Sequence, residues 1–480
     1  MKGFIFTFSA FFFCLASFYA EPSLSGYLEN DIELKKLALE VKKSSLEQKK
    51  TSIENGFDIS LSTGTAKFRF NGQNTRVSFN PSAKIAVPKA SNLSVSASSK
   101  IEITDGNSNS ADTSISFEID LISAAPLKRK IQLLKSERSL LEAKRNLQNR
   151  ALEAEKEFYT KLKQLFQGAG EISSAKNNLY EDTVSFEEIK AKGYSKNSSK
   201  YRQAELKVLS DRHEVEKKIH DFEHDCAVFA SECGMPFYSG TAEDKKNGLS
   251  YADFLPRQIP PAEPVNILDF EKEFYTKIEK AVYEHKISEM ERTAEKDFSL
   301  SANAGYTLKN SNAIFNDVEE PDTIDAGISA AFKGFSVETG IYIPADGSSP
   351  VYSAGASIKP NSFRTAKIKK QSDSCSREEE ILSIKSAEKD YETDIVDKQT
   401  ELNDIKWSKQ TNEKTFDMYK NLAADMEKLF AQGLVRESEY LNAEANKELY
   451  GFKILINDID LIIYNNSTKL LFCRDAELQD

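Results

Sequence analysis

The chain has 480 residues, with 64 Lys and Arg against 75 Asp and Glu, and a formal net charge of −11 at pH 7. Nucleic-acid binding needs a basic surface for phosphate contacts, so this charge balance disfavours nucleic acid as a partner. The few cysteines do not form the dense pattern of a disulfide framework. One exported pair could bridge, and the four candidates are Cys226, Cys233, Cys375 and Cys473.

The N-terminal segment has the features of a secretory signal. Lys2 precedes an apolar run from Phe4 to Phe18, which is followed by Ala20 and a polar chain. A basic start, a short apolar core and a small residue predict a signal peptide over residues 1–20. The run is short for a spanning helix, which needs about 20 apolar residues. No later run is longer, so a chain held in a membrane would need a closed β-barrel.

Residues 21–234 change pattern several times in a fixed order. The segment begins with apolar residues at every seventh position, which is typical of a coiled-coil seam. Apolar and polar residues then alternate, which predicts strands. The seven-residue step is carried by Ile32, Leu39, Leu46 and Ile53. Pro126 then suits the first turn of a long helix. The predicted elements are helix 27–55, strand block 57–122, long helix 127–192 and return helix 194–233.

The same order recurs after a proline-rich linker over residues 235–263. The second repeat, residues 264–472, is predicted to hold helix 264–297, strand block 298–360, long helix 361–432 and return helix 434–472, before a tail over 473–480. Phe57 and Phe298 start the strand blocks and are 241 residues apart, while the turn glycines Gly193 and Gly433 are 240 apart. These two pairs of landmarks are of different kinds and are separated by nearly the same number of residues, which predicts a tandem duplication.

Helix lengths also agree within each half. In each half, the two shorter helices laid end to end are about as long as the long helix. Either would extend about 100 Å at about 1.5 Å per residue. A length of that order is too great for a compact domain and suits a tube that crosses a periplasm.

The second turn carries the most specific motif. Residues 429–444 read LFAQGLVRESEYLNAE, with an aromatic residue, a glycine, a polar run, an acid, a leucine and an alanine. This pattern resembles the tip turn of the TolC family of outer-membrane efflux proteins, and residues 192–204, KGYSKNSSKYRQA, are a looser copy. The resemblance implies an α+β membrane protein. It would have a long α-helical coiled-coil barrel, a transmembrane β-barrel, two tandem repeats per chain, and a barrel completed by a trimer.

The resemblance also implies a function. The chain would be a channel subunit of a tripartite efflux or type I secretion system, in the outer membrane with its helical part in the periplasm. Its partners would be two further copies, a periplasmic adaptor (membrane fusion protein) and an inner-membrane transporter. No catalytic residue, cofactor or metal is expected, and the cargo cannot be read. The alternative is a non-channel periplasmic coiled-coil protein, either adaptor-like or a surface adhesin. An adaptor would carry a single helical hairpin.

The resemblance assigns two groups of site residues. The periplasmic tip, where the adaptor would dock, comprises Gly193, Tyr194, Gly433, Leu434, Val435 and Arg436. The constriction would be lined by Glu439, six positions after the second tip glycine, with Asn442 three positions further. Threefold symmetry would make a ring of carboxylates that favours cations. A solvated glutamate on the helix exterior is an equally simple interpretation.

Two further patterns remain open. The family contributes two strands per repeat, whereas each strand block here has about four alternating segments. The extra segments, such as residues 77–87 and 335–343, form extracellular hairpins or enlarge the barrel, and we expect hairpins. Separately, His220, Glu223 and His224 match the H-x-x-E-H pattern of zinc peptidases. A charged coiled-coil face explains this motif more simply, because no pocket-forming domain surrounds it.

Overall fold

A computed structural model describes residues 22–71, 74–89, 91–104, 107–235, 254–295, 298–309 and 321–473. The predicted signal segment 1–20 lies outside the described residues, as do most of the linker and nearly all of the tail. In these ranges no helix combines the length and the apolar composition that a membrane span requires.

Long helices dominate the described residues. They are α1 (Leu24–Asn30), α2 (Ile32–Glu54), α3 (Ala125–Ala191), α4 (Ser199–Glu232), α5 (Thr276–Ala294), α6 (Pro360–Ala431) and α7 (Glu437–Lys469). Both return helices start later than the sequence predicts. The Ser198 side chain accepts a hydrogen bond from the backbone N–H of Tyr201, which makes Ser198 the N-cap of α4. Arg436 has extended backbone angles, so α7 starts at the next residue.

The first predicted helix, 27–55, is interrupted at Asp31. The backbone there is extended, and the Asp31 carboxylate accepts hydrogen bonds from the backbone N–H groups of Glu33 and Leu34, at 2.7 and 3.2 Å. Asp31 therefore caps α2, and it separates a short helix from a long one.

The predicted helix 264–297 is wrong over its first third. Residues 267–269 and 272–274 form short 3-10 turns, and regular helix begins only at Thr276. Tertiary contacts explain the difference. The Asn465 side chain accepts from the backbone N–H of Val265 at 2.9 Å and donates to the carbonyl of Glu263 at 2.8 Å. Ile267 is fully buried. Fixing this backbone to α7 outweighs its helix propensity.

One antiparallel sheet contains all strands of the described residues. They are β1 (Asp58–Ser62), β2 (Lys67–Asn71), β3 (Asn74–Phe79), β4 (Ser82–Val87), β5 (Leu93–Thr104), β6 (Asn107–Ile122), β7 (Phe298–Lys309), β8 (Thr323–Phe332), β9 (Phe335–Pro344) and β10 (Val351–Ile358). The first strand block thus holds six strands, where about four are predicted. The sheet order is β1-β4-β5-β6-β7-β8-β9-β10, hereafter the eight-strand path, and β2 and β3 form a hairpin beside it that pairs with β5.

The chain forms two units, and each takes segments from both sequence halves. The helical unit comprises the described residues within 1–36, 148–271 and 393–472, and the sheet unit comprises those within 37–147, 272–392 and 473–480. The helical unit has an aromatic core, where the Phe158 ring lies 5.7 Å from Tyr27 and 5.1 Å from Phe229. Helix α7 adds Ile459 and Ile462 to this core. In the sheet unit, Ile131 of α3 packs with Ile287 of α5.

Candidate functional site

The eight-strand path has one apolar face. Because side chains alternate across a strand, residues in register on neighbouring strands share a face. One row of registered partners crosses the whole path: Ile59, Ile85, Val95, Phe117, Ala304, Ala326, Ile341 and Tyr352. The next row on the same face runs through Leu61, Ala83, Ala97, Ile115, Tyr306, Ile324 and Ile343. The apolar residues of both sequence halves therefore form one continuous surface.

Aromatic residues lie at one end of this apolar face on β7, β8 and β9, and a tyrosine lies toward the other end on β7. Phe298 is in register with Phe332, which is in register with Phe335, next to Ile358. Along β7, Tyr306 stands eight residues beyond Phe298. At about 3.3 Å per residue the two rings are about 26 Å apart along the strand. This spacing is close to the apolar band of about 25 Å, flanked by aromatic girdles, that membrane β-sheets present to lipid.

The opposite face is polar and built from small residues. Its central row contains Asp58, Ala86, Ser94, Glu118, Asn303, Gly327, Gly340 and Ser353. Serine pairs bridge neighbouring strands, with 2.6 Å between the hydroxyls of Ser96 and Ser116 and 2.7 Å between those of Ser301 and Ser329. The central row and the polar row on either side of it carry more acids than bases. Their charged residues are Asp58, Glu118, Asp120, Asp325, Glu338 and Lys84.

Among the residues that the structure describes, none covers the apolar face. Ile59 is 56% exposed and Leu61 is 79% exposed, and Ile328 on β8 is also more than half exposed. The heptad step of α2 is similarly uncovered, because Leu39 is 68% exposed and Ile53 is 74% exposed. Apolar surfaces of this extent mark contacts with lipid or with another chain.

The two predicted tip glycines form tight helix ends. Gly193 has φ +76° and Gly433 has φ +71°, so both occupy the left-handed region that glycine adopts without strain. Their backbone N–H groups donate to the carbonyls of Lys190 and Phe430, at 3.0 and 2.9 Å. These bonds satisfy carbonyls at the ends of α3 and α6. The sequence prediction of two turns at these glycines therefore corresponds to two helix reversals.

Polar contacts join the second tip to α3. Arg436 lies 3.4 Å from Glu188, and the Asn442 amide donates to Glu181 over 2.9 Å. The third contact is a hydrogen bond from the Tyr180 hydroxyl to the Glu437 carboxylate, at 2.8 Å. Sequence reasoning missed Glu181, Glu188, Glu437 and Tyr180, because each occupies a polar helix position that no periodicity distinguishes.

The remaining predicted tip residues lie at the turns themselves. Leu434 is 68% exposed and Tyr194 is 40% exposed, whereas Val435 is half-buried. Glu439 lies in the first turn of α7 with an exposed side chain. Each turn therefore exposes an apolar or aromatic side chain that could contact a protein partner.

The residues of the histidine motif do not form a grouping with metal-ligand geometry among the described residues. His220 lies on α4 with its side chain 83% exposed, and the one grouping with metal-ligand geometry among the described residues is His285, Glu289 and Glu380. Arginines already bind those carboxylates. Arg377 contacts Glu289 at 2.5 Å, and Arg292 contacts Glu380 at 2.6 Å. These guanidinium groups lower the pKa of both carboxyls to about 2. The cluster is therefore an ion-pair network between α5 and α6.

Comparison with known proteins places the chain in a family. The TP096X N-terminal domain matches residues 24–259, and the TP096X C-terminal domain matches residues 260–475. Together the two matches cover nearly the whole sequence, so the chain belongs to the TP096X family. The boundary between them falls inside the proline-rich linker. No curated protein matches the sequence.

Several solved structures of membrane proteins are similar to this chain. A membrane protein from Pseudomonas aeruginosa shares 11% identity over 93% of this chain and 92% of that chain, with a TM-score of 0.46. The open state of the Neisseria gonorrhoeae MtrE outer membrane channel shares 13% identity over 94% and 89%, with a TM-score of 0.47. The Vibrio cholerae outer membrane protein VceC shares 12% over 94% and 95%, with a TM-score of 0.44.

Proposed function

We propose that the chain is a subunit of an outer-membrane channel, a passive duct from the periplasm to the exterior. The two-faced eight-strand path carries this proposal. A sheet in lipid must present apolar side chains on one face and satisfy its backbone groups by pairing between strands. The rows of Ile59 and Leu61 meet the first requirement, and the antiparallel ladders meet the second. The small polar residues of the other face suit a water-filled lumen.

Association of copies completes this duct. In the part of the chain that the structure describes, β1, β2 and β10 each pair on one side only, and β1 and β10 are the two open ends of the eight-strand path. The exposed seam of α2 is a second surface for a neighbouring copy. We propose three copies, the number that the resemblance to the TolC family implies. Pairing of the edges removes unpaired backbone groups that lipid would not tolerate.

The tips are the proposed periplasmic end of the duct. The exposed Leu434 and Tyr194 would contact a periplasmic adaptor, which links the duct to an inner-membrane transporter in an efflux or type I secretion system. Glu439 and Asn442 are the proposed constriction. In a single copy Asn442 binds Glu181, which leaves the exposed Glu439 as the group that would form a ring of carboxylates.

The test combines localisation with conductance. A channel subunit will fractionate with the outer membrane, migrate differently on gels before and after heating, and give discrete conductance steps in planar bilayers. A periplasmic coiled-coil protein will appear in the soluble periplasmic fraction and give no steps. That result would replace the channel with the adaptor-like or adhesin alternative.

A further inference from the structure

The inner strands of each half belong to the eight-strand path. β4 pairs with β1 and β5, while β5 also pairs with β6. In the second half, β8 pairs with β7 and β9, while β9 also pairs with β10. Each of these four strands therefore has hydrogen-bonded neighbours on both sides. Removing one from the wall would break two ladders, so these strands do not fit the description of hairpins outside the sheet. Residues 335–343, predicted as part of an extracellular hairpin, lie within β9.

The inner strands also share the face pattern of the outer ones. Ile85 on β4 and Ile341 on β9 stand in the same apolar row as Ile59 on β1 and Phe117 on β6. Ile85 is 40% exposed and Ile328 on β8 is 53% exposed, as expected for side chains that face lipid. A strand outside the membrane has no reason to keep an apolar face in register with strands inside it.

We propose that all eight strands of the path stand in the membrane wall, and that β10 of one copy pairs with β1 of the next copy. This inference rests on the proposed channel function and specifies its pore. Because neighbours alternate in direction along eight strands, β1 and β10 run oppositely, and the pair between copies is antiparallel. The occupant of each open edge is thus a second copy of this chain.

The register is consistent with closure between copies. The polar row that begins at Asp58 near the start of β1 reaches β10 at Ser353, yet β10 continues to Ile358 before α6 begins. The edge of the sheet where the strands join the helices is therefore displaced along the strand direction between β1 and β10. A closed sheet requires such a stagger between its first and last strands.

The pore that follows is wide. Three copies would supply about 24 strands, and the diameter of a barrel grows with strand number. Walls of 16 to 18 strands already enclose an aqueous channel, so this one holds a larger opening. Its lining would combine serine and glycine with a net excess of carboxylates, as the polar rows show. Such a mouth passes large hydrophilic solutes, and any selectivity of the duct lies at the helix tips.

Tryptophan quenching by brominated lipid tests the wall directly. Trp407 is the single tryptophan of the chain, so Trp407→Phe gives a dark background. Single tryptophans are then introduced by Ile85→Trp on β4 and Ile328→Trp on β8 in the full-length oligomer, reconstituted into vesicles of lipid brominated near mid-chain. Phe117→Trp on β6 reports membrane insertion. Ser329→Trp, next to Ile328 on the polar face, is the matched control.

The outcomes distinguish the eight-strand wall from the channel proposal on which it rests. We expect Phe117→Trp, Ile85→Trp and Ile328→Trp to lose most of their fluorescence, while Ser329→Trp keeps it. Quenching at position 117 without quenching at positions 85 and 328 would overturn the eight-strand wall and leave the channel proposal standing. Absence of quenching at position 117 would overturn the channel proposal itself. A variant that fails to assemble is replaced by Val95→Trp or Ile341→Trp in the same apolar row.

Discussion

The hydroxyl of Tyr180 on α3 donates a hydrogen bond to Oε2 of Glu437 at the start of α7, over 2.8 Å. This contact joins the long helix of the first sequence half to the return helix of the second. Lys163 and Asp460 form an ion pair at 2.6 Å between the same two helices, farther from the tips. The α3–α7 pair is thus joined by polar contacts at two levels, between exposed side chains near the tip and between half-buried side chains farther from it.

Tyr180→Phe will loosen the tip. A net loss of about 1 kcal/mol per hydrogen bond corresponds to about a fivefold change in the equilibrium between joined and separated tips. In bilayer recordings the variant will therefore spend more time in its higher-conductance state. Tyr194→Phe is the matched control, since it removes a hydroxyl from the other turn. Equal open times for both variants would show that the Tyr180–Glu437 contact does not restrain the tip.

Glu439→Ala tests the constriction. If three Glu439 carboxylates line the pore, their removal will reduce cation selectivity and weaken block by multivalent cations, because a ring of like charges concentrates cations. Glu427→Ala removes an exposed carboxylate from α6 and should change neither property. Selectivity and block identical to those of the unmodified channel would place Glu439 outside the constriction.

Element order was predictable because it depends on periodicity over long stretches. The heptad step of Leu39 and Leu46 and the alternation around Phe117 each repeat several times, so local exceptions do not obscure them. Two errors had different causes. β3 and β4 have only six residues each, too few for alternation to resolve the turn between them, so the sequence predicts one segment over residues 77–87. The excess helix before Thr276 was overridden by Asn465, which is distant in sequence.

The functional surfaces were only partly predictable. Strand alternation indicates that each strand has an apolar face, but it does not indicate which strands are neighbours. The structure shows that the apolar faces lie on the same side of the sheet, because β4 pairs in register with β5 and β8 pairs in register with β9. At the tips, glycine identifies the turns because positive φ demands it. The contact between Tyr180 and Glu437 depends on the packing of helices from different halves.

Phe158→Ala will destabilise the helical unit by about 3–5 kcal/mol, the usual cost of emptying a buried aromatic site. Phe158 is 3% exposed and contacts the rings of both Tyr27 and Phe229, so the cavity cannot close by a simple rotation. Urea unfolding followed by circular dichroism measures the change. Trp407→Ala, at a position 69% exposed, should cost far less. Equal midpoints for the two variants would contradict this core.

Thiol reactivity should separate the cysteines. Burial raises the pKa of the Cys226 thiol to about 12 and likewise that of the Cys233 thiol, while Cys375 is exposed. Because thiolate is the reactive form, iodoacetamide at pH 8 will modify Cys375 in the folded protein and leave the other two intact. Peptide mass spectrometry reads the sites, and urea-unfolded protein is the control in which all react. Fast modification of Cys226 in folded protein would contradict its placement.

The α5–α6 ion-pair network makes the stability of the sheet unit depend on pH. Arg377 and Arg292 lower the pKa of Glu289 from the usual 4.5 to about 2. Arg292 and His285 lower the pKa of Glu380 to about 2 in the same way. A carboxyl with a lowered pKa stabilises the fold above its usual value, and this contribution disappears as the pH falls toward about 2. Arg292→Met should therefore lower the denaturant midpoint at pH 7, with a smaller difference near pH 2. Parallel pH profiles for the two proteins would refute this linkage.

The uncovered apolar rows and the two open sheet edges have a consequence for biogenesis. As the proposed outer-membrane channel, a new copy would carry an apolar face and unpaired strand edges before either lipid or another copy covers them. Both features favour aggregation. The proposed channel would therefore require periplasmic escort and prompt insertion, and its cellular amount would depend on holdase capacity as much as on its own expression.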